Sequence, residues 1–272
     1  LILLVAVPSI GNTPSSDDDI KVTAPGATAL DLRDAGTVQS LSGISWFTPD
    51  ATSAEDDLPE GYERGCQVDQ NSSALQPCEW GDPNGDILVV VVGDSKMLQW
   101  QSALQEIADQ QGWRIISHTK SACGFHSGVQ LVDDKPYTSC TEWNENVMDE
   151  LVELEPDFVL TSQRINVALD QTTGDASVDM MVDAMVTQWS VLLDMDIPLI
   201  VLLDNPNPGF AVYECIAENE DNPQNCTFSR EDGIANSGAL AQEEAVARLS
   251  DVHIVDLRPK ICPDNQCVPI IG

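Results

Sequence analysis

The chain has 272 residues, 42% of them apolar, which is enough for one substantial core without requiring a second. Lys and Arg number 12 against 45 Asp and Glu, a formal charge of −33. A field of that sign repels phosphate backbones and anionic lipid surfaces, so it argues against nucleic-acid binding and describes a solvated acidic surface.

Taken in chain order, Leu1-Ile2-Leu3-Leu4-Val5-Ala6-Val7 is apolar and runs into Pro8. It is shorter than the roughly 20 residues of a spanning helix and has no basic segment before it. Residues 1–8 are therefore expected to be the outer end of a transmembrane helix whose beginning is missing. Residues 9–60 mix Ser, Thr, Pro, Gly and Asp, with the run Asp17-Asp18-Asp19, and keep neither a helical nor a strand period. They read as an acidic connector.

Beyond Cys78, apolar runs of strand length alternate with segments of helical period. Residues 87–92 are a continuous apolar run, four of them valine, which suits a strand buried on both faces. Over 97–111, Leu98, Leu104, Ile107 and Ala108 have helical spacing, and Gly112 fits the residue that ends a helix. A second strand is expected over 113–117. A helix over 141–154 carries Trp143, Val147, Leu151 and Leu154 on one stripe, and a third strand follows over 158–161. Helix, strand, helix and strand then recur over 178–195, 198–203, 235–249 and 252–257. Five strands separated by helices predict a parallel sheet in a three-layer α/β/α sandwich occupying residues 61–272.

The eight cysteines fall as close neighbours along the chain. An even count, no pair of Cys-x-x-Cys knuckles and only three histidines favour disulfides over zinc, hence an oxidising compartment and no metal site. Eight cysteines allow on the order of 100 pairings, and the simplest is sequential: Cys66–Cys78, Cys123–Cys140, Cys215–Cys226 and Cys262–Cys267.

Candidate chemistry centres on Gly93-Asp94-Ser95. Ligands of such sheets bind beyond the carboxyl ends of the strands, where Ser95 lies, after the first core strand and at the opening of a helix. Backbone N–H groups and a helix dipole there would stabilise an oxyanion. Gly93 permits the tight turn, and Asp94 can hold it by accepting N–H bonds. The same three residues are also a good turn and N-cap, so alone they leave both readings open.

The surroundings add a resemblance. Cys78-Glu79-Trp80-Gly81-Asp82-Pro83, Val92-Gly93-Asp94-Ser95 with Gln99-Trp100, Gly112-Trp113-Arg114, Thr119-Lys120-Ser121-Ala122-Cys123 and Cys140-Thr141-Glu142-Trp143 occur in order. Pro156-Asp157, Asp204-Asn205-Pro206 with Cys215, and Cys262-Pro263-Asp264-Asn265-Gln266-Cys267 continue the series. From about Tyr62 onward the chain resembles the SGNH domain fused to the carboxyl side of acyltransferase-three membrane proteins, which include bacterial O-antigen and cell-wall O-acetylases. The resemblance implies a flavodoxin-like SGNH hydrolase fold on the extracytoplasmic face of a bacterial cell membrane. It also implies an acyl group, acetyl foremost, delivered by an upstream membrane domain of the same chain with no bound cofactor. Ser95 would pass it through an acyl-serine to a hydroxyl of a cell-envelope polysaccharide or glycolipid.

Serine needs a base, and the resemblance implies an Asp-x-x-His shortly after the last cysteine pair, past Gly272. As substitutes, His253 has the wrong spacing in Asp251-Val252-His253, and His118 and His126 read as packing or surface histidines. Lys96 stands where the family usually has histidine, and reads as a first-turn residue reaching solvent. The clean Gly and Asn oxyanion blocks of the family are missing, which leaves Ser162, Arg164 and Asn166 after the third strand and Asn205 after the fourth. Trp80, Trp100, Trp113, Trp143 and Trp189 could stack on sugar rings, but Trp113 and Trp143 fit core stripes. Asn71-Ser72-Ser73 and Asn225-Cys226-Thr227 are glycosylation sequons that a bacterial origin makes idle. The competing readings are a secreted carbohydrate esterase, in which water resolves the acyl-serine, and a catalytically dead glycan-binding relative.

Overall fold

A run of valines cannot satisfy its own backbone, and in this protein it lies at the centre of a sheet where both neighbours do so. The computed structural model describes residues 5–8, 44–263 and 265–271. Strand β1, Ile87–Gly93, pairs in parallel with β2, Trp113–Lys120, on one side and with β3, Phe158–Ser162, on the other. Parallel to β3 comes β4, Leu199–Leu202, and parallel to β4 comes β5, Val252–Val255. The spatial order is therefore 2-1-3-4-5, a doubly wound arrangement whose strand order reverses between β1 and β3. The expected three-layer α/β fold is present. Two short strands extend its sheet beyond the expected five, Gln67–Val68 parallel to β2 and Cys78–Gly81 antiparallel to it. Gln67–Val68 is too short to leave a pattern in the sequence, and Cys-Glu-Trp-Gly over Cys78–Gly81 is not an apolar run.

The helices alternate with these strands: α1, Ser95–Leu98; α2, Gln101–Gln111; α3, Thr138–Leu154; α4, Val178–Asp194; and α5, Ala239–Ala247. The single helix expected over 97–111 is two pieces, starting at Ser95 and broken at Gln99 and Trp100, and it ends at Gly112 with φ 66°. On one face of the sheet, Val90, Val92, Val159 and Val201 pack with Val147 and Leu151 of α3, Met181, Met185 and Trp189 of α4, and Ala241 and Ala245 of α5. Alternation along β1 turns the equally buried Val89 and Val91 to the other face. Trp143 and Trp189 are fully buried. Trp113 is only half-buried and stands edge-on to Phe158 at 5.3 Å between ring centroids.

The chain divides into two units, one of Leu58–Asp204 with Ser237–Asp256, which holds this sheet, and one of Leu1–Asp57, Asn205–Asn236 and Leu257–Gly272. In the second, Val5–Pro8 is a strand paired antiparallel with Ile44–Thr48. This corrects the expectation of a membrane helix end over those four residues, while residues 1–4 lie outside the described residues. The connector expected over 9–60 is likewise corrected in its later part. Ala51 and Ala54 are buried with Ile216, Cys226 and Ile270, because small side chains let this segment pack closely. Residues 9–43 lie outside the described residues. Among the described residues, no helix is long and apolar enough to cross a membrane.

All four disulfides join sequence neighbours: Cys66–Cys78, Cys123–Cys140, Cys215–Cys226 and Cys262–Cys267. Cys123–Cys140 closes a 17-residue separation between two fully buried positions. Replacing both by Ser should lower unfolding stability by about 3 kcal/mol, read from urea midpoints under non-reducing conditions. A loss no larger than that of an exposed surface substitution would show that this crosslink contributes nothing.

Candidate active site

The site begins where β1 runs out. Gly93 is in register with Ser162 of β3 and Thr119 of β2, at the point where strand order reverses. A Cβ at position 93 would lie 2.2 Å from the Ser162 carbonyl oxygen and 2.9 Å from the Met97 Cβ, so the turn into α1 passes too close to β3 for any side chain. Asp94 then caps α1. Its Oδ1 accepts the Lys96 N–H at 2.8 Å and its Oδ2 accepts the Arg164 N–H at 3.0 Å. One carboxylate thus joins the turn after β1 to the loop after β3. Ser95 follows at the first helical position, half-buried, where its N–H has no intrahelical acceptor.

Asp94 is fully buried, and desolvation pushes its carboxyl up to about 7 against the two N–H bonds that favour the anion. The negative charge of Asp204 raises it further, and the Lys96 ammonium lowers it. Desolvation, with the Asp94 charge adding to it, also raises the Tyr62 phenol.

Lys96 is half-buried and turns to a partner instead of extending freely into solvent. Its Nζ lies 3.3 Å from Oδ1 of Asp204, and the two side chains are 19% and 1% exposed. Asp204 follows the end of β4 and is tied elsewhere as well. Its N–H donates to Gln242 Oε1 at 2.8 Å, and its Oδ2 accepts the Gly238 N–H at 2.9 Å. Gly238 is closely packed, since a Cβ there would meet the Gln163 carbonyl oxygen at 2.2 Å. The helix expected over 235–249 therefore yields its first residues to this contact, and α5 starts at Ala239.

The other predicted donors fall in different environments. Ser162 is fully buried, with its Oγ unpartnered and its carbonyl against Gly93. The exposed Arg164 uses its backbone N–H on Asp94, and with Asn166 its side chain lines a cleft of about 550 Å³ that also meets Leu131, Val132 and Val178. The Asn166 Nδ2 is a buried donor with no hydrogen-bond partner. Asn205 belongs to the second unit, where its buried Oδ1 is also unpartnered.

None of the three imidazoles is hydrogen-bonded to Ser95. His118 is buried on β2, its Nε2 3.4 Å from Oε1 of Glu150 on α3, and desolvation lowers its pKa to about 4. His126 is buried with Nε2 3.0 Å from Gln130 Oε1, and is likewise lowered to about 4 by desolvation. His253 lies on β5, three strand spacings from β1 and hence about 14 Å away between backbones.

Sequence reasoning missed Asp204 as the partner of Lys96, with Gly238 and Gln242 as partners of Asp204, and misjudged Lys96. The only signal was the carboxylate at the end of the fourth apolar run together with the lysine in an unusual place.

A family model for an SGNH domain (fused to AT3 domains) matches residues 65–272. Among solved structures, the periplasmic domain of the lipopolysaccharide acetyltransferase of Salmonella ser. Paratyphi A superposes with a TM-score of 0.52 at 16% identity, covering 70% of this chain and 73% of that one. At that identity the likeness is one of fold. A GDSL-like lipase from Bacteroides thetaiotaomicron covers 64% of this chain and 70% of its own at 14% identity, with a TM-score of 0.36, too slight to argue from. No curated protein gives a significant match.

Asp94 makes a testable contribution to stability. Unfolded, it loses its proton near an ordinary carboxyl value of about 3.9. Folded, it holds the proton to about 7. The folded state binds the extra proton between those values, so this group makes stability fall as pH rises from about 4 to about 7 and level off above. Asp94→Asn cannot titrate and should lose that fall. Urea midpoints of the two proteins across this range measure it, and parallel pH slopes would refute the assignment.

Proposed function

Because the chain belongs to the family of SGNH domains found fused to AT3 domains, we propose that it is the extracytoplasmic acyl-transfer domain of a membrane O-acyltransferase. In this reading Ser95 carries an acyl group, acetyl foremost, to a hydroxyl of a cell-envelope polysaccharide or glycolipid. The observation that carries it is the place of Ser95: on a glycine-dependent turn at the carboxyl end of β1, held by the Asp94 carboxylate to β3 where the strand order reverses. Four disulfides suit an oxidising, extracytoplasmic compartment. The acetyltransferase named above supports acetyl as the group and an envelope glycan as the acceptor.

The chemistry follows in two halves. A base takes the Ser95 hydroxyl proton while Oγ attacks the acyl carbonyl, giving a tetrahedral oxyanion. The Ser95 N–H and the unpartnered Asn166 amide are the donors we assign to it. Collapse expels the donor's leaving group, which takes the proton, and leaves the acyl-serine. The acceptor hydroxyl then gives its proton to the same base and attacks the ester carbonyl, and as the second tetrahedral oxyanion collapses the base returns that proton to the leaving Ser95 Oγ. His118 and His126 are buried in other contacts, so we assign the base to neither of them; the family resemblance implies the imidazole of an Asp-x-x-His in that role.

A serine-directed fluorophosphonate should label the protein in its native membranes at Ser95, as read by peptide mass spectrometry, and Ser95→Ala should abolish the label. Persistent labelling of Ser95→Ala would rule the assignment out. With labelling established, release of the acyl group to water at the same rate with and without envelope glycan would turn the reading from transfer to hydrolysis.

A further inference from the structure

Ser95 has a structural tie on each side, and only that of Asp94 belongs to the expected turn. We infer that Lys96 is a positioning residue for the acyl-serine chemistry: its ion pair with Asp204 fastens the first turn of α1 to the carboxyl end of β4. This inference rests on the proposed function.

Three observations carry it. First, the partner is rigid. Asp204 is 1% exposed and is held by Gln242 and by the Gly238 N–H, whose own position is fixed against Gln163. An ammonium paired to such a group is anchored, unlike one in a surface pair, where solvent and side-chain entropy cancel most of the attraction.

Second, the geometry is complementary. Asp94 binds the turn to β3, Lys96 binds it to β4, and Ser95 lies between them in the chain. A segment as short as α1, four residues, takes its orientation from such contacts rather than from its own helical bonds.

Third, the charges interlock. Asp94 and Asp204 interact unfavourably, and the Lys96 ammonium favours the Asp94 anion. Removing it would leave the two buried carboxyl groups with their N–H bonds but without this neighbouring cation.

The test uses p-nitrophenyl acetate as acyl donor for the protein in its native membranes, with Lys96→Met, Lys96→Gln, Lys96→Arg and Ser95→Ala compared. Lys96→Met should lower kcat by about 10- to 100-fold with little change in KM, since misaiming the nucleophile affects the reaction more than donor binding. The acidic limb of the pH–rate profile should move to higher pH, because Asp94 loses the cation that favours its anion. It still faces the Asp204 carboxylate, the Tyr62 phenol and the N–H groups of Lys96 and Arg164. Lys96→Arg, which keeps the charge, should recover most of both effects. If Lys96→Met does not fold, Lys96→Gln keeps a polar side chain, one atom shorter and without the charge, and should show the same displaced limb. Wild-type kcat and an unmoved limb in Lys96→Gln, with Ser95→Ala inactive, would overturn the role of Lys96 alone. Wild-type activity in Ser95→Ala would instead overturn the acyl-serine reading.

Discussion

The Asp94 carboxylate, buried and shared between the N–H groups of Lys96 and Arg164, is the contact on which the proposed site depends. A doubly wound sheet leaves a crevice where its strand order reverses, and the loops leaving the strands on its two sides must be held together across it. Here one oxygen of a single side chain serves each loop. The cost of burying that charge is visible in its upward titration, and the two N–H bonds and the nearby ammonium offset part of it. Gly93 belongs to the same constraint, because the turn can approach β3 closely enough for Asp94 to bond only if no Cβ intervenes.

Buried charge recurs along this edge of the sheet. At the carboxyl end of β2, Lys120 is buried, with Nζ donating to the carbonyls of Asp69 and Ser72 at 2.5 and 2.6 Å and lying 5.0 Å from the Tyr137 ring centroid. Beyond β4, Asp204 pairs with Lys96. Each anchors a loop that strand pairing does not reach. The many surface carboxylates, by contrast, face solvent, where they keep the chain soluble without specifying its fold. An acidic protein with 12 basic residues therefore uses one lysine, Lys120, fully inside the molecule and a second, Lys96, half-buried, where a cation fixes more than it would at the surface.

Among the described residues, the proposed site has a fixed turn but no imidazole hydrogen-bonded to the serine. His118 and His126 are desolvated and drawn into contacts with Glu150 and Gln130, and both imidazoles are lowered to about 4. Burial makes them core residues at neutral pH, whatever their closeness in sequence to the carboxyl end of β2. The cleft beside Arg164 and Asn166 combines apolar walls with polar groups.

By itself, the sequence determined the features that arise from near neighbours. The alternation of apolar runs and helical periods yields five parallel strands and their helices. The Gly-Asp-Ser turn follows from three adjacent residues, and the disulfides close between consecutive cysteines. What only the tertiary structure decided involves partners far apart in the chain. Lys96 and a buried carboxylate 108 positions on, at Asp204, could not be paired from any period. Nor could the break in the helix after Leu98, the packing of Ala51 and Ala54, or the strand at Val5–Pro8, whose apolar composition suits either a helix or a sheet. Periodicity reports which face of an element is buried. It does not report what that face, or a polar group within it, will meet.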